Sequence, residues 1–428
     1  MLRVYDVTYL AHWGGRITGI PRVISEVVAR SAGDESARFV VWEKATRRFV
    51  EVDPVRTVEH RGHGVQYVTR DTAGFRLTRA VKHFGTGFLS RALASLGRRT
   101  GSTGLADLAV RVAKWRDRNH VVVEAGAGHI FVSFMGEWHD DHYIDEVVAI
   151  HGRGAKVVQT IYDLLPIVTP QSSGHSTVPM TRYLTRVMPV ADLVVAISEH
   201  TKRDLTAWTE AQGIRTPRIE VFRIGDDFSV DRDREPSRAG VPAHIEPGRF
   251  ILCVGTVEAR KNHVLLYYVY RLAKRRGIEL PHLVIVGREG YRAGDIFHIL
   301  QEDPELAGGV TLLSDLDDEG LAWLYRNCRF TVYPSMYEGW GLPIAESLAW
   351  GKPVIASGTS SMPEIAGDLV DYIDPFSVDE CLASIARLND DSELQGALAR
   401  VARYRPTTWD ETTRTLETLI AGVAGESA

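Results

Sequence analysis

From residue 128 onward the chain alternates short, continuous apolar runs with longer stretches in which apolar residues recur at helical spacing. Ile130 to Phe134, Lys156 to Tyr162 and Leu193 to Ile197 are Val- and Ile-rich, the pattern of strands covered on both faces. Asp141 to His151, Thr181 to Met188 and a segment starting at Ser198 read as helices between them. The rhythm returns in the second half, where Phe250 to Gly255, His282 to Gly287, Val310 to Leu313, Arg329 to Tyr333 and Pro353 to Ala356 are predicted strands. Helical patterns fill Val378 to the end. The chain opens with a strand from Leu2 to Val7, and Phe39 to Trp42 forms another. Between them a loop, Ala11 to Pro21, leads to a helix marked by Val23, Val27 and Val28, with Thr18 as a plausible N-cap. Alternating strands and helices imply doubly wound parallel sheets that bind ligands beyond the carboxyl ends of their strands.

Two stretches break the rhythm. Ser229 to Gly248 is charged, Pro-containing and aperiodic, and reads as a linker between two domains, 1–228 and 249–405, with a last helix over 406–428. Asp53 to about His120 is the least regular part. Between Arg76 and Arg118 it is basic, opposed by Asp107 and Asp117, with Phe84, Phe88, Leu89 and Leu93 interleaved at near-helical spacing. A basic amphipathic helix of this kind can lie on an anionic bilayer; an ordinary surface helix with a loop has the same pattern.

The chemistry concentrates in two strand-end loops of the second half. Tyr333-Pro-Ser-Met-Tyr-Glu-Gly-Trp-Gly-Leu-Pro-Ile-Ala-Glu346 runs from a strand through a glycine loop into a helix opened by Pro343. Gly339 and Gly341 allow a close backbone approach, the helix start at Leu342 favours an anion, and Glu338 and Glu346 can accept hydrogen bonds from vicinal hydroxyls. Alone, Glu346 in a first helical turn is more often only a dipole or capping device. Upstream, Gly255-Thr-Val-Glu-Ala-Arg-Lys-Asn-His263 sets Arg260 and Lys261 before a helix, where two cations can meet a diphosphate; each by itself is an ordinary surface charge. The loop after the first strand holds Gly15 and Gly19, which could cradle a phosphate or simply form a capped turn. A ligand with phosphate in the middle and a polyol at each end fits these groups: a sugar nucleotide.

The Glu338-to-Glu346 spacing, the Glu-Gly-Trp-Gly-Leu-Pro core and the Gly255-to-Asn262 wording resemble the retaining glycosyltransferases of family 4, most strongly over roughly residues 250 to 375. The resemblance implies a GT-B fold, two Rossmann-like domains facing a cleft, with the acceptor on the first and the nucleotide sugar on the second. It assigns Glu338 to donor-sugar hydroxyls and Glu346 to the ribose. Gly255, Gly339, Trp340, Gly341 and Leu342 fall in donor-binding loops, Gly287 lies near the base, and Gly15 and Gly19 approach the donor phosphate and sugar. Arg260 and Lys261 would stabilise the departing diphosphate, so no metal or other cofactor is expected. Asp163 matches the family's His-Asp turn facing the transferring sugar, with Tyr162 in place of the His. The Thr18-to-Val23 wording is similar to that of polysaccharide mannosyl- and rhamnosyltransferases. It implies GDP-mannose first, then a UDP-sugar or dTDP-rhamnose, and a surface polysaccharide or lipid-linked glycan as acceptor. Asp315 or Asp317 should cap the next helix, Glu364 reads as a cap rather than a catalyst, and Trp409 lies where the last helix would pack. The rival readings are a sugar-nucleotide 2-epimerase, a non-catalytic sugar-nucleotide sensor, and a membrane scaffold using 76–118.

Composition narrows the picture. A length of 428 residues suits two or three domains, with 44% hydrophobic and 25% charged residues. A net charge of −5 and the lack of any recognisable binding motif argue against nucleic acid. Cys253, Cys328 and Cys381 have no metal or redox spacing and apolar neighbours, the pattern of buried, reduced thiols. No apolar run reaches the ~20 residues of a membrane span, and Met1-Leu-Arg-Val enters a strand directly. The expectation is a cytoplasmic protein with at most peripheral membrane contact.

Overall fold

The computed structural model describes residues 1–15, 17, 19–59, 120–226 and 234–425. Thr18, the basic segment at 76–118 and the first part of the proposed linker lie outside the described residues. The observed N-cap of the helix Ile20–Ser31 is Gly19, which supplies no side-chain bond.

Among the described residues, seven strands form the first sheet in the order β3-β2-β1-β4-β5-β6-β7. They are β1 Leu2–Asp6, β2 Ala37–Glu43, β3 Arg48–Glu51, β4 His129–Ser133, β5 Lys156–Ile161, β6 Leu193–Ala196 and β7 Arg218–Val221. All neighbours are parallel except β2 and β3, where Val41 faces Val50 in antiparallel register. The second sheet runs β10-β9-β8-β11-β12-β13 and is parallel throughout. Its strands are β8 Phe250–Val254, β9 His282–Val286, β10 Val310–Leu313, β11 Thr331–Tyr333, β12 Val354–Ser357 and β13 Asp371–Ile373. The apolar runs are where they are because both faces are covered: Val157, Val158, Val194, Val195, Leu252 and Ile285 are all fully buried.

Each sheet reverses its strand order once, between β1 and β4 in the first and between β8 and β11 in the second. At such a reversal the loops leaving the two strands diverge to opposite faces and leave a crevice at the carboxyl edge. The loops at Gly255 and Glu338 therefore flank one crevice, and those following Asp6 and Ser133 flank the other.

One apolar cluster joins the halves. Trp340, Ile344, Ala345 and Leu348 from the glycine loop and the helix Leu342–Ala349 share a core with the first sheet. The C-terminal helix Trp409–Gly425 packs there too. Glu417 accepts from Tyr5 Oη at 2.6 Å and Ser31 Oγ at 3.0 Å and pairs with Arg3. Trp409 lies flat on Gly225, where an added Cβ would come within 2.5 Å of the indole. The proposed linker is not free along its described part: Val241 and Ile245 are buried against Phe250 and Trp323.

Replacing Trp409 with Ala should remove about 3–5 kcal/mol, the usual cost of emptying a buried aromatic site, measured by urea unfolding. A change under about 1 kcal/mol would mean that the C-terminal helix contributes little to holding the halves together.

Candidate active site

Two carboxylates and two cations gather at the second crevice. Arg260 and Lys261 sit in a single 3-10 turn, Ala259–Lys261, ended by Asn262 in the left-handed conformation (φ 60°), which Asn tolerates better than most residues. The Asn262 amide donates to the carbonyls of Pro334 at 3.2 Å and Pro375 at 2.7 Å, and Met336 N–H donates to the Arg260 carbonyl at 2.8 Å. These bonds stitch the cation loop to the glycine loop and set the direction of both cations.

Glu338 receives them. Arg260 Nη1 lies 2.7 Å from Glu338 Oε2, and Lys261 Nζ 2.6 Å from Oε1. Tyr333 and Ser335 donate to Oε1 at 2.9 and 2.6 Å, and Arg260 Nη2 also meets Glu258 at 2.8 Å. Burial pushes the Glu338 carboxyl up, but Arg260 and Lys261 outweigh it and hold it down at about 2. Burial lowers the Lys261 ammonium, aided by Arg260 and opposed by Glu338. Such a group is charged because of its partners, and its partners are charged because of it.

Glu346 lies in the first turns of the helix Leu342–Ala349, capped by Gly341 at φ 120°, a conformation that side chains resist. Its Oε2 accepts from Tyr325 Oη at 3.1 Å, and its Oε1 meets Arg22 Nη1, from the other domain, at 3.1 Å. Burial raises the Glu346 carboxyl, opposed by Arg22 and Tyr325.

Asp163 follows β5 and faces this group across the domains. Its Oδ1 accepts from Leu165 N–H at 2.9 Å, burial raises its pKa, and Arg260, Glu338 and Lys261 all lie within electrostatic reach. Gly339 makes the approach possible: a Cβ there would stand 2.2 Å from the Tyr162 carbonyl oxygen and 3.1 Å from Asp163 Cβ. The glycine answers to the opposite domain as well as to any ligand.

Residues 238–405 match the family model described as glycosyl transferases group 1. That domain carries every one of these groups except Asp163 and Arg22. The chain is 37% identical over 170 residues to the O-antigen chain mannosyltransferase B of Escherichia coli, covering 39% of this chain and 44% of the relative. It is 26% identical over 234 residues to the serotype-specific mannosyltransferase WbdA of E. coli, covering 52% of this chain and 28% of the relative. The chain thus spans less than half the length of these curated relatives. Among solved structures, Anabaena HepE in complex with UDP-glucose aligns over 99% of this chain and 100% of its own, with a TM-score of 0.61 and 13% identity. Sucrose-phosphate synthase from Thermosynechococcus elongatus aligns over 100% of both chains with a TM-score of 0.58 and 16% identity. These likenesses concern the fold: two Rossmann-like domains facing a cleft, the GT-B arrangement.

Within that fold the remaining residues singled out from sequence fall in distinct places. Gly255 follows β8, and Gly287 follows β9 so close beside it that a Cβ on Gly287 would lie 1.9 Å from the Gly255 carbonyl oxygen. Gly15 and Gly19 lie after β1, beyond a short helix Thr8–His12 that the apolar pattern does not announce. Leu342 is the first residue of its helix. Trp340 is 5% exposed, with the Arg223 guanidinium 5.3 Å above its ring; its indole packs in the core rather than offering a face to solvent. Tyr162 is likewise buried, its ring in the core of the first sheet and its hydroxyl without a hydrogen-bond partner among the described residues. Asp317 caps the helix Asp318–Asn327 by accepting from Gly320 N–H at 2.7 Å. Glu364 is a cap as well, but of a helix in the other domain: it accepts from Glu199 and His200 N–H, both at 2.7 Å.

Sequence reasoning assigned no role to Arg22, Glu258, Tyr325, Tyr333 or Ser335. Arg22 lies inside the quoted Thr18-to-Val23 wording, yet nothing local reveals a partner 324 positions away. It also missed a further clasp, Tyr337 Oη donating to Asp204 at 2.5 Å. On the first domain, Tyr9 and Trp13 stack at 5.8 Å beyond β1, and Glu137 beyond β4 pairs with Lys44 at 2.7 Å and His12 at 3.1 Å.

Two groups at the site contribute to the acid limb of stability. His263, beside Lys261, is buried with neither ring nitrogen hydrogen-bonded among the described residues, and burial, aided by Lys261, holds it down at about 3 from 6.5. Both His263 and Glu338 have depressed folded pKa values, so their contributions are complete above the ordinary values, 6.5 and 4.5, and are lost as pH falls towards about 3 and about 2. These two groups therefore lower stability as pH falls from 6.5, against the opposite contribution of Asp6, whose buried carboxyl is pushed up to about 6, and His263→Leu should reduce the loss above pH 4.5. An unchanged pH profile in that variant would remove His263 from the account. Glu338→Gln should cost about 3–5 kcal/mol by stranding two buried cations, seen in urea unfolding at pH 7.

Proposed function

We propose that the protein is a retaining glycosyltransferase that moves a hexose from a nucleotide sugar to a growing surface polysaccharide or lipid-linked glycan. GDP-mannose is the first choice of donor, with a UDP-sugar or dTDP-rhamnose next. The observation that carries this reading is the convergence of Arg260 and Lys261 on the Glu338 side chain, beside the helix start at Leu342 and opposite Asp163.

A departing nucleoside diphosphate needs its developing charge stabilised where water is scarce. Donors already fixed in place do this at no reorganisation cost, each contributing a few kcal/mol. Arg260 and Lys261 are fixed by Asn262 and Glu338, and the N–H groups at the helix start add to them. In this scheme the cation pair takes the role that a divalent ion would otherwise fill, and no metal is required. Glu338, with both oxygens engaged, aims the cations and shares an oxygen with a donor-sugar hydroxyl. Asp163, with Oδ1 committed to Leu165, keeps Oδ2 for the transferring sugar. The acceptor hydroxyl attacks on the face the diphosphate leaves; the C–O bond to phosphate breaks as the new one forms, and the leaving phosphate oxygen receives the hydroxyl proton.

Both relatives are named as mannosyltransferases, one of them of an O-antigen chain, which supports mannose and a polysaccharide acceptor. The Tyr9–Trp13 pair and the polar Glu137 group suit a sugar ring approaching from the first domain. Among the described residues no helix is long and apolar enough to cross a membrane. We place the reaction at the cytoplasmic face of the membrane, with peripheral contact through 76–118, which vesicle sedimentation with and without that segment tests.

A thermal-shift and hydrolysis screen of GDP-, UDP- and dTDP-sugars in EDTA tests the central claim. One nucleotide class should stand out, adding about 2.7 kcal/mol of stability at 100 times its dissociation constant, with slow release of sugar. Stabilisation with no transfer to any glycan acceptor would favour a binding protein, and no response to any donor would overturn the reading. Arg260→Ala combined with Lys261→Ala should cut turnover by about 100-fold or more in a protein that still folds; near-normal turnover would dismiss the leaving-group role.

A further inference from the structure

Glu338 and Glu346 are held differently. The Glu338 contacts to its cations, at 2.6 and 2.7 Å, have the length of tight charge-assisted hydrogen bonds. Arg22 meets Glu346 at 3.1 Å through one nitrogen, long for a pair whose side chains are both only 12% exposed. The partners also come from different domains. Tyr325, on the other oxygen, is wholly enclosed in the second domain's core. Arg22 comes from the first turn of the helix Ile20–Ser31, reaches across the domains on a long stem, and lies with its guanidinium 5.4 Å from the Trp409 ring. If a ribose diol takes Glu346, as the proposed donor chemistry requires, Arg22 is the partner that can give way. Glu346 is four residues past Leu342, about one helical turn or ~5 Å from the helix start that would hold the diphosphate.

We propose that Arg22 is exchanged between Glu346 and the donor: the ribose displaces it from the carboxylate, and its guanidinium passes one turn back to the diphosphate. This rests on the sugar-nucleotide reading above and adds to it a donor-binding residue supplied by the opposite domain. The exchange makes the two ends of the ligand interdependent. A ribose alone must break the Arg22–Glu346 pair without recompense, whereas a ribose carrying a diphosphate recovers the charge contact at once. The site thereby prefers nucleotides to nucleosides, and donor capture draws the first domain's helix toward the second. The direction of the Glu346 shift agrees, since Arg22 does not fully offset the burial of the carboxylate.

The two ligand ends give the test opposite signs. Calorimetric titration of wild type and Arg22→Ala with guanosine and GDP, and with uridine and UDP, should show the variant binding the nucleoside a fewfold more tightly and the diphosphate about tenfold more weakly. A merely structural Arg22 would move both affinities the same way, and that result, or an unchanged diphosphate affinity, overturns the exchange. Should Arg22→Ala fail to fold, Arg22→Lys serves. Losing the forked guanidinium should weaken diphosphate binding and leave the nucleoside unchanged, and a parallel shift in both again overturns the proposal. Wild type that binds neither GDP nor UDP would remove the sugar-nucleotide reading itself and the exchange with it, a failure distinct from parallel shifts in a protein that binds.

Discussion

Two cations held out of water by one carboxylate constrain the rest of this protein. Removing an ion from water costs several kcal/mol even after relaxation, and the cost is recovered only where geometry is tight and the remaining donors are satisfied. The Arg260–Lys261–Glu338 group meets that condition through Tyr333, Ser335 and Glu258. Its tightness in turn demands that two loops, about 75 residues apart in sequence, be fixed to each other. Asn262 and the Met336-to-Arg260 backbone bond do this, and both loops must leave adjacent parallel strands at the point where the sheet reverses.

The glycine loop that carries Glu338 is also the seam between domains. Tyr337 bonds Asp204, Gly339 admits the Tyr162 carbonyl, Trp340 lies under Arg223, and Glu364 caps the helix Glu199–Ala211 from across the cleft. Site geometry and domain contact therefore share residues, so any relative motion of the halves is felt at Glu338 within one or two peptide units. Arg22 extends the same seam to Glu346, and Trp409 ties it to the C-terminal helix.

The legibility of the fold followed burial. Strands buried on both faces, such as β5, β6, β8 and β9, are plain in the apolar runs. The edge strands β3, β7 and β13 are not, because Arg48–Glu51, Arg218–Val221 and Asp371–Ile373 are short, incompletely buried and mix charges with apolar residues. The short helix Thr8–His12 escaped for a similar reason, being a single turn or so with no period to detect. At the site, Arg260, Lys261, Glu338 and Glu346 stood out because strand-end loops concentrate them within short stretches. Arg22 and Asp204 did not, and Glu364 was legible as a cap but not as the cap of a helix in the other domain, since their partners are set by which surfaces the two domains turn to each other.

The sequence by itself determined the alternation of strands and helices, and hence two parallel sheets with their loops at one edge, because apolar periodicity records burial residue by residue. It also determined which loops hold cations, carboxylates and glycines. Only the tertiary structure decided what those groups do to one another. Glu338 faces two cations, Gly339 makes room for a backbone oxygen of the other domain, the Tyr162 phenol turns into the core, and Glu346 is paired by an arginine from the far side. Coulombic pairing and steric exclusion act through space over a few ångströms, and in a doubly wound fold those few ångströms separate residues hundreds of positions apart.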